Sequence, residues 1–372
     1  MDDELDKLNR FQEAFERGQE GQISNYEAWL QEQGIDSDRA DTEYLAQYFQ
    51  ENPEQAVNHE EQLEEVAEYI GFFSRRSNVY HLPVIGVSGI GKTQFLHTVT
   101  DLLKQIEPGI EQRFYDAENF SELGAEEERI FEIRDELRGI DKVVVYVDDC
   151  EWEQAESLVE SFRVIESVVD DALLVSSWTP EYWKHHSEDV ETVLPVSTEV
   201  HLTPFSEKES VAALKQVFEV VSDDGLELPE AFLKQIHEYS SGIPGVFTRL
   251  ALTSLREAFV KELELGSVES VEAAAEKLNL VDLEETVYDL SDTKLTILTH
   301  MLLWNHRRGI RPSQLVDLLD RDKSTVSYHL KDLKGEGLVE SEKQGRSAYY
   351  RVKNPVKPFV QLRIDQNGEF HG

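Results

Sequence analysis

The chain has 372 residues, enough for two or three domains, and sets 36 Lys+Arg against 75 Asp+Glu, a formal net charge of −39. Its one cysteine, Cys150, excludes an internal disulfide and a cysteine-built metal site. No stretch reaches the ~18 apolar residues of a membrane span. The acidic opening Met1-Asp-Asp-Glu-Leu-Asp is the opposite of a signal peptide, so a cytoplasmic protein without a membrane partner is expected.

Residues 1–58 read as an acidic helical segment. Leu5, Leu8, Phe11 and Phe15 recur at helical spacing, and apolar clusters at 26–30 and 44–49 predict two more short helices around a turn at Gly34. The segment carries no catalytic constellation. It is expected to pack on the rest of the chain or on a partner, which makes it the place for a homo-oligomer contact or a protein partner.

A core domain is expected over 59–205. An amphipathic helix at 61–70 leads into a short apolar strand at Val84 and Ile85. The next eight residues, Gly86-Val87-Ser88-Gly89-Ile90-Gly91-Lys92-Thr93, fit the pattern G-x-x-x-x-G-K-[ST]. In such a P-loop, successive backbone N–H groups turn inward around phosphate, and glycines permit the close approach and the unusual dihedrals. Lys92 then reaches the β- and γ-phosphates and the Thr93 hydroxyl ligates Mg²⁺. Phe95, Leu96 and Val99 follow Gln94 at helical spacing, so a helix N-terminus faces the anion. A glycine-rich turn with a chance lysine is the competing explanation, and strand before with helix after counts against it. ATP or ADP with Mg²⁺ is the expected ligand.

After Lys142 the run 143–147 is apolar and largely β-branched and leads into Asp148 and Asp149, the pattern of a central parallel strand whose C-terminal end gathers ligand. Asp148 is the expected Mg²⁺ acid and Asp149 the candidate to orient a water, with Glu151 and Glu153 as substitutes. Helices are expected at 124–137 and 158–169, and a strand at 172–177. A short last strand at 199–202 leads to a capped helix from about Ser206. Two more helices flank the turn Ser240-Ser-Gly242-Ile-Pro244-Gly245 in a lid expected over 206–288.

The balance of charge changes near residue 290. Residues 291–372 hold 14 Lys+Arg and 10 Asp+Glu, a local excess of +4 on a chain of −39. Here a core helix from Ser291 and a helix opened by Pro312 precede Asp320-Arg321-Asp322-Lys323. The helix that follows turns Val326, Leu330 and Leu333 inward and Ser324, Thr325, Ser327, Tyr328 and Lys331 outward. Small polar residues near its start suit contact with base edges. Residues 338–352 read as a hairpin turning at Gly345, with Lys343, Arg346 and Arg351 placed for phosphates. The candidate DNA contacts are therefore Arg321, Lys323, Ser324, Thr325, Ser327, Tyr328, Lys331, Lys343 and Arg346, with double-stranded DNA as partner. Residues 354–372 are expected to lie along this domain or fray.

Taken in order, these motifs resemble ATPases of the AAA+ and STAND groups, and the fold implied is an α/β P-loop NTPase. It would be a parallel sheet with helices on both faces, followed by a helical lid and a C-terminal winged helix over 289–353. The resemblance implies that the helix at 61–70 closes over adenine, that Pro244 packs on base or ribose, and that Arg249 links γ-phosphate to the lid. It also implies a sensor hydroxyl at Ser176, Ser177 or Thr179, and offers Arg163 as an inter-subunit finger. The C-terminal domain resembles ArsR- and MarR-like regulators and the end of Orc1/Cdc6 initiators. Acidic residues decorating ordinary amphipathic patterns, with few lysines, resemble a haloarchaeal cytoplasmic protein. The expected function is an ATP-binding, DNA-binding switch with slow hydrolysis, a transcriptional or defence-type regulator. The alternatives are an Orc1/Cdc6-like initiator and a signalling ATPase whose winged helix docks protein.

Overall fold

The computed structural model describes residues 24–57, 59–76, 78–118, 137, 139–150, 163–165, 167–196, 198–223, 225–304, 309–344 and 347–366. Residues 124–136 of the helix expected at 124–137, residues 158–162 and 166 of the helix expected at 158–169, the apolar positions before residue 24, Glu151, Glu153, Gly345 and Arg346 lie outside the described residues.

In chain order the elements begin with helices α1 (Ser24–Glu32), α2 (Thr42–Glu51) and α3 (Glu60–Ser74). Strand β1 (Val79–Ile85), helix α4 (Lys92–Ile106) and strands β2 (Glu111–Asp116), β3 (Val143–Cys150) and β4 (Ala172–Trp178) follow. Helix α5 (Pro180–Glu191) and strand β5 (Val200–His201) close this series. Helices α6 (Glu207–Val221), α7 (Glu230–Ser240), α8 (Pro244–Val260), α9 (Val268–Leu278) and α10 (Leu283–Tyr288) come next. The last elements are α11 (Asp292–Leu303), α12 (Pro312–Leu319), α13 (Lys323–Gly335), β6 (Val339–Gln344), β7 (Ser347–Val352) and α14 (Lys357–Gln366). The chain divides into two compact units, one of 1–57, 206–242 and 246–278, the other of 58–205, 243–245 and 279–372.

The helical unit explains residues 24–57. Ile35 bridges Ser222, and the Asp36 N–H donates to Val221 O at 2.8 Å, so the segment is stitched to the end of α6. Tyr26 and Trp29 pack their rings on Phe259, with centroids 5.3 and 5.7 Å apart. Leu30, Ile35 and Leu45 are buried, so these apolar side chains are covered by their own chain. Helix α6 starts on a capping box: the Ser206 hydroxyl accepts from the Glu209 N–H and the Glu209 carboxylate accepts from the Ser206 N–H.

In the other unit, the β-branched runs form a five-stranded parallel sheet of order β2-β3-β4-β1-β5. Strands β3 and β4 are buried nearly throughout, as parallel strands covered on both faces must be. Lys142, just before β3, donates to the carbonyls of Phe73, Ser74 and Arg76 and so caps the C-terminus of α3 with a cation.

The same unit holds a winged helix. Lys294 on α11 bonds Asp332 and Glu336 at 2.7 and 2.6 Å, fastening α11 to α13. Strands β6 and β7 pair antiparallel, and Ile310 adds a third short pairing by exchanging backbone bonds with Tyr350. Gly309 is required there, because a Cβ would stand 2.4 Å from Tyr350 O. Residues 357–366, expected to lie along the domain or fray, form α14, with Phe359, Val360, Gln361 and Ile364 buried. Burial on several sides leaves this helix no single apolar stripe, so periodicity does not announce it.

Candidate nucleotide site and nucleic-acid interface

The loop after β1 takes the shape its glycines allow. Gly89 and Gly91 have φ of 77° and 104°, and Gly91 is the residue on which α4 begins. Gly86 serves differently: a Cβ there would lie 2.7 Å from Ile90 Cγ2 and 3.2 Å from Leu202 Cβ, so it permits packing. The loop's amides therefore gather at the N-terminus of a 15-residue helix, a ready anion site.

Lys92, the first residue of α4, folds back so that Nζ donates to Gly86 O at 2.8 Å and Val87 O at 3.3 Å. Burial lowers its ammonium from the ordinary value, while the carboxylates of Asp148, Asp149 and Glu181 pull it back. The Thr93 hydroxyl donates to Asp148 Oδ2 at 2.6 Å. Ser177 donates to Asp148 Oδ1 at 2.5 Å and accepts from the Asp149 N–H at 2.9 Å. Although β4 separates β3 from β1, their ends thus meet through Thr93 at the start of α4. Ser176 faces the other side of β4, where it accepts from Trp178 Nε1 and pairs with His81. Of the three sensor hydroxyls considered, Ser177 is the one joined to Asp148.

Asp149 stands at a bulge in β3, with φ of 58° and a register shift between Val147 and Cys150. Such bulges re-aim side chains and gather at functional sites. Desolvation by the surrounding protein and the Asp148 carboxylate raise its carboxyl. At the other edge of the loop, the Gly245 N–H donates to Gly89 O at 2.8 Å, so Gly245 lies against the loop backbone. Arg249 falls in the helical unit, exposed on α8, its carbonyl accepting from the Thr253 hydroxyl. Arg163 is exposed.

These groups suit a nucleotide with Mg²⁺. A hydroxyl and a carboxylate side by side offer hard oxygen donors to a small divalent cation, and the Gln94 Nε2 is a buried donor that no described protein group meets. Thr93 and Asp148 would hold the metal, and its positive charge would offset that of the phosphates.

Two residues of this site escape the sequence reading. Glu181, in the first turn of α5, is 3 % exposed, and its Oε2 has no hydrogen-bond partner among the described residues. Gln361 of α14 is 2 % exposed, accepts from the Ser88 N–H at 2.7 Å and donates to Glu181 Oε1 at 2.7 Å. An acid after Thr-Pro reads as an ordinary helix start, and a glutamine in a polar tail carries no signal.

On the winged helix, Arg321, Lys323, Ser327, Tyr328, Lys331 and Lys343 are exposed, Tyr328 to 66 %. Ser324 and Thr325 are engaged locally. Both hydroxyls donate to the Asp322 carboxylate, Thr325 at 2.6 Å, as do both backbone N–H groups, so their protons complete an N-cap. Those bonds hold the Asp322 carboxyl well below the usual range and keep a negative charge at the start of α13. Arg351 is paired across the hairpin with Glu340.

Residues 310–341 match the family described as bacterial regulatory protein, arsR family. The cadmium resistance transcriptional regulatory proteins CadC of Listeria innocua and Lactococcus lactis are 34 % identical over 65 residues, 18 % of this chain and 53 % of theirs. The chain thus spans about half the length of the curated relatives it matches. Among solved structures, an Aeropyrum pernix Orc1 protein in complex with DNA is 14 % identical, covering 84 % of this chain and 92 % of that one at a TM-score of 0.49. The Thermotoga maritima RuvB Holliday junction branch migration motor is 17 % identical, covering 82 % and 95 % at 0.46. At these levels the two structures bear on neither activity nor partner. No described helix is long and apolar enough to cross a membrane. The chain joins a P-loop α/β core to a C-terminal winged helix-turn-helix of the arsR type.

Proposed function

We propose that this protein is an ATP-binding, DNA-binding switch in which nucleotide state, changed by slow hydrolysis, controls the winged helix, and that it acts as a transcriptional or defence-type regulator. One observation carries the reading: the winged helix and the P-loop core belong to a single compact unit. Tyr182 Oη donates to Leu302 O at 3.0 Å and Lys184 Nζ to Ile364 O at 2.5 Å, so α5 of the core grips α11 of the winged helix and α14 beyond it. A rearrangement at the phosphate site has a short path to the DNA face.

In this reading Lys92 and the loop amides bind phosphate, Thr93 and Asp148 hold Mg²⁺, and Asp149 orients water. A carboxylate one methylene shorter than glutamate, fixed on a bulge, favours slow turnover. The Asp148-Asp149 pair and the Gly245 contact on Gly89 support a STAND-type assignment, with Arg249 serving the lid. The net charge of −39 supports a salt-loving source. Phosphate release below about one turnover per minute, abolished in Lys92→Ala and not stimulated by duplex DNA, is the expected result. Fast DNA-stimulated turnover would instead mark a motor.

A second reading has its own observation. The Asp322 charge and the engaged Ser324 and Thr325 hydroxyls suit a protein-docking winged helix better than a base-reading one. Lys331→Glu with Lys343→Glu separates them: unchanged DNA affinity would favour docking.

A further inference from the structure

The contact between Gln361 and Ser88 is an unusual use of a P-loop amide. Ser88 lies in the first half of the loop, the half whose carbonyls, Gly86 O and Val87 O, hold the Lys92 ammonium. Lysine at this motif position serves the β- and γ-phosphates, so this half is the side toward the terminal phosphate. A buried glutamine from the last described helix occupies the N–H there, and its other end is fixed by the buried Glu181. The Glu181 carboxylate in turn attracts the Lys92 charge.

We propose that Gln361 is a specificity-determining residue of the nucleotide site, one that favours nucleoside diphosphate over triphosphate and ties that choice to the seating of α14. The idea rests on the nucleotide-binding reading above. Two effects act together. A terminal phosphate beside Ser88 competes with Gln361 Oε1 for the N–H, and a buried glutamine deprived of that partner is costly to leave in place. The same phosphate draws Lys92 to itself and brings negative charge toward Glu181, weakening the anchor that holds Gln361 Nε2. A diphosphate makes neither demand. Triphosphate therefore unseats α14, and since Lys184 and Arg363 hold that helix to α5 and to the carbonyls of Val287 and Leu290, the segments flanking the winged helix loosen with it.

The test measures ADP and a non-hydrolysable ATP analogue, with Mg²⁺, by titration calorimetry on the full chain, and follows hydrogen exchange of residues 357–366 in each state. In the wild type, α14 amides should lose protection with the ATP analogue and keep it with ADP. Gln361→Ala should raise the triphosphate-to-diphosphate affinity ratio about tenfold, the order of one net hydrogen bond. Glu181→Gln, an isostere that removes charge without removing bulk, should move the ratio the same way. An unchanged ratio in both variants, or equal exchange with the two nucleotides, would overturn the role of Gln361 while leaving nucleotide binding intact. Failure of the wild type to bind either nucleotide would overturn both the proposal and the reading beneath it.

Discussion

Replacing Gly245 by alanine tests the contact between the Gly-Ile-Pro-Gly turn and the P-loop. A Cβ at 245 would stand 3.0 Å from Gly89 Cα and 3.2 Å from Gly89 O, backbone atoms that cannot rotate away. The Gly245 N–H to Gly89 O bond, at 2.8 Å, prevents the two segments from drifting apart without loss. The loop must shift by a few tenths of an ångström, and overpacking of this kind costs about 1–3 kcal/mol. Gly71 is the internal control: it lies in α3, and a Cβ there meets nothing within 4 Å. Gly71→Ala should stabilise by about 0.5–1 kcal/mol through helix propensity alone. Urea unfolding followed by circular dichroism should therefore place Gly245→Ala below Gly71→Ala by about 1.5–4 kcal/mol at unchanged slope. Nucleotide affinity should fall only in Gly245→Ala. Equal midpoints with equal nucleotide affinity would refute the close-approach argument.

Three other outcomes follow from the same geometry. Burial pushes the His81 imidazole down to about 3, so the native state refuses a proton that the unfolded chain accepts near pH 6.5. Its contribution is whole above about pH 6.5 and is lost as pH falls toward 3, amounting to roughly 2 kcal/mol at pH 5; His81→Gln should flatten the acid limb of stability by about one proton. Asp148→Asn keeps the bulk beside Thr93 and Ser177 but removes the charge a cation needs, so Mg²⁺-dependent triphosphate affinity should drop about tenfold or more by calorimetry. Lys331→Ala should weaken duplex binding about equally for all sequences and lower the log–log salt slope by about 1, measured by fluorescence anisotropy.

The parts of this protein legible in its sequence are those where one local rule decides. The eight-residue loop motif requires strand, turn and helix in register, and the β-branched run ending in Asp148 can hardly be anything but a buried strand. The winged helix likewise follows from helical spacing, a proline start and a hairpin. What escaped depends on contacts distant in sequence. Glu181 and Gln361 are 180 positions apart, and nothing near either residue marks it. The bulge at Asp149 arises where β3 shifts register against β4, which no single strand's pattern reveals. The Ser324 and Thr325 hydroxyls suit DNA contacts by their place at the opening of a recognition helix, but the same residues beside Asp322 also complete a cap, and the cap holds their protons.

The most direct test of the central claim is duplex-DNA affinity with an ATP analogue, with ADP and without nucleotide, across a KCl series reaching molar concentrations, in wild type and Lys92→Ala. Phosphate contacts weaken steeply with salt, so the comparison between nucleotides must be made at each salt concentration. A nucleotide-gated switch predicts affinities that differ between ATP analogue and ADP in the wild type and become equal in Lys92→Ala. Affinities that are the same in every nucleotide state would contradict it.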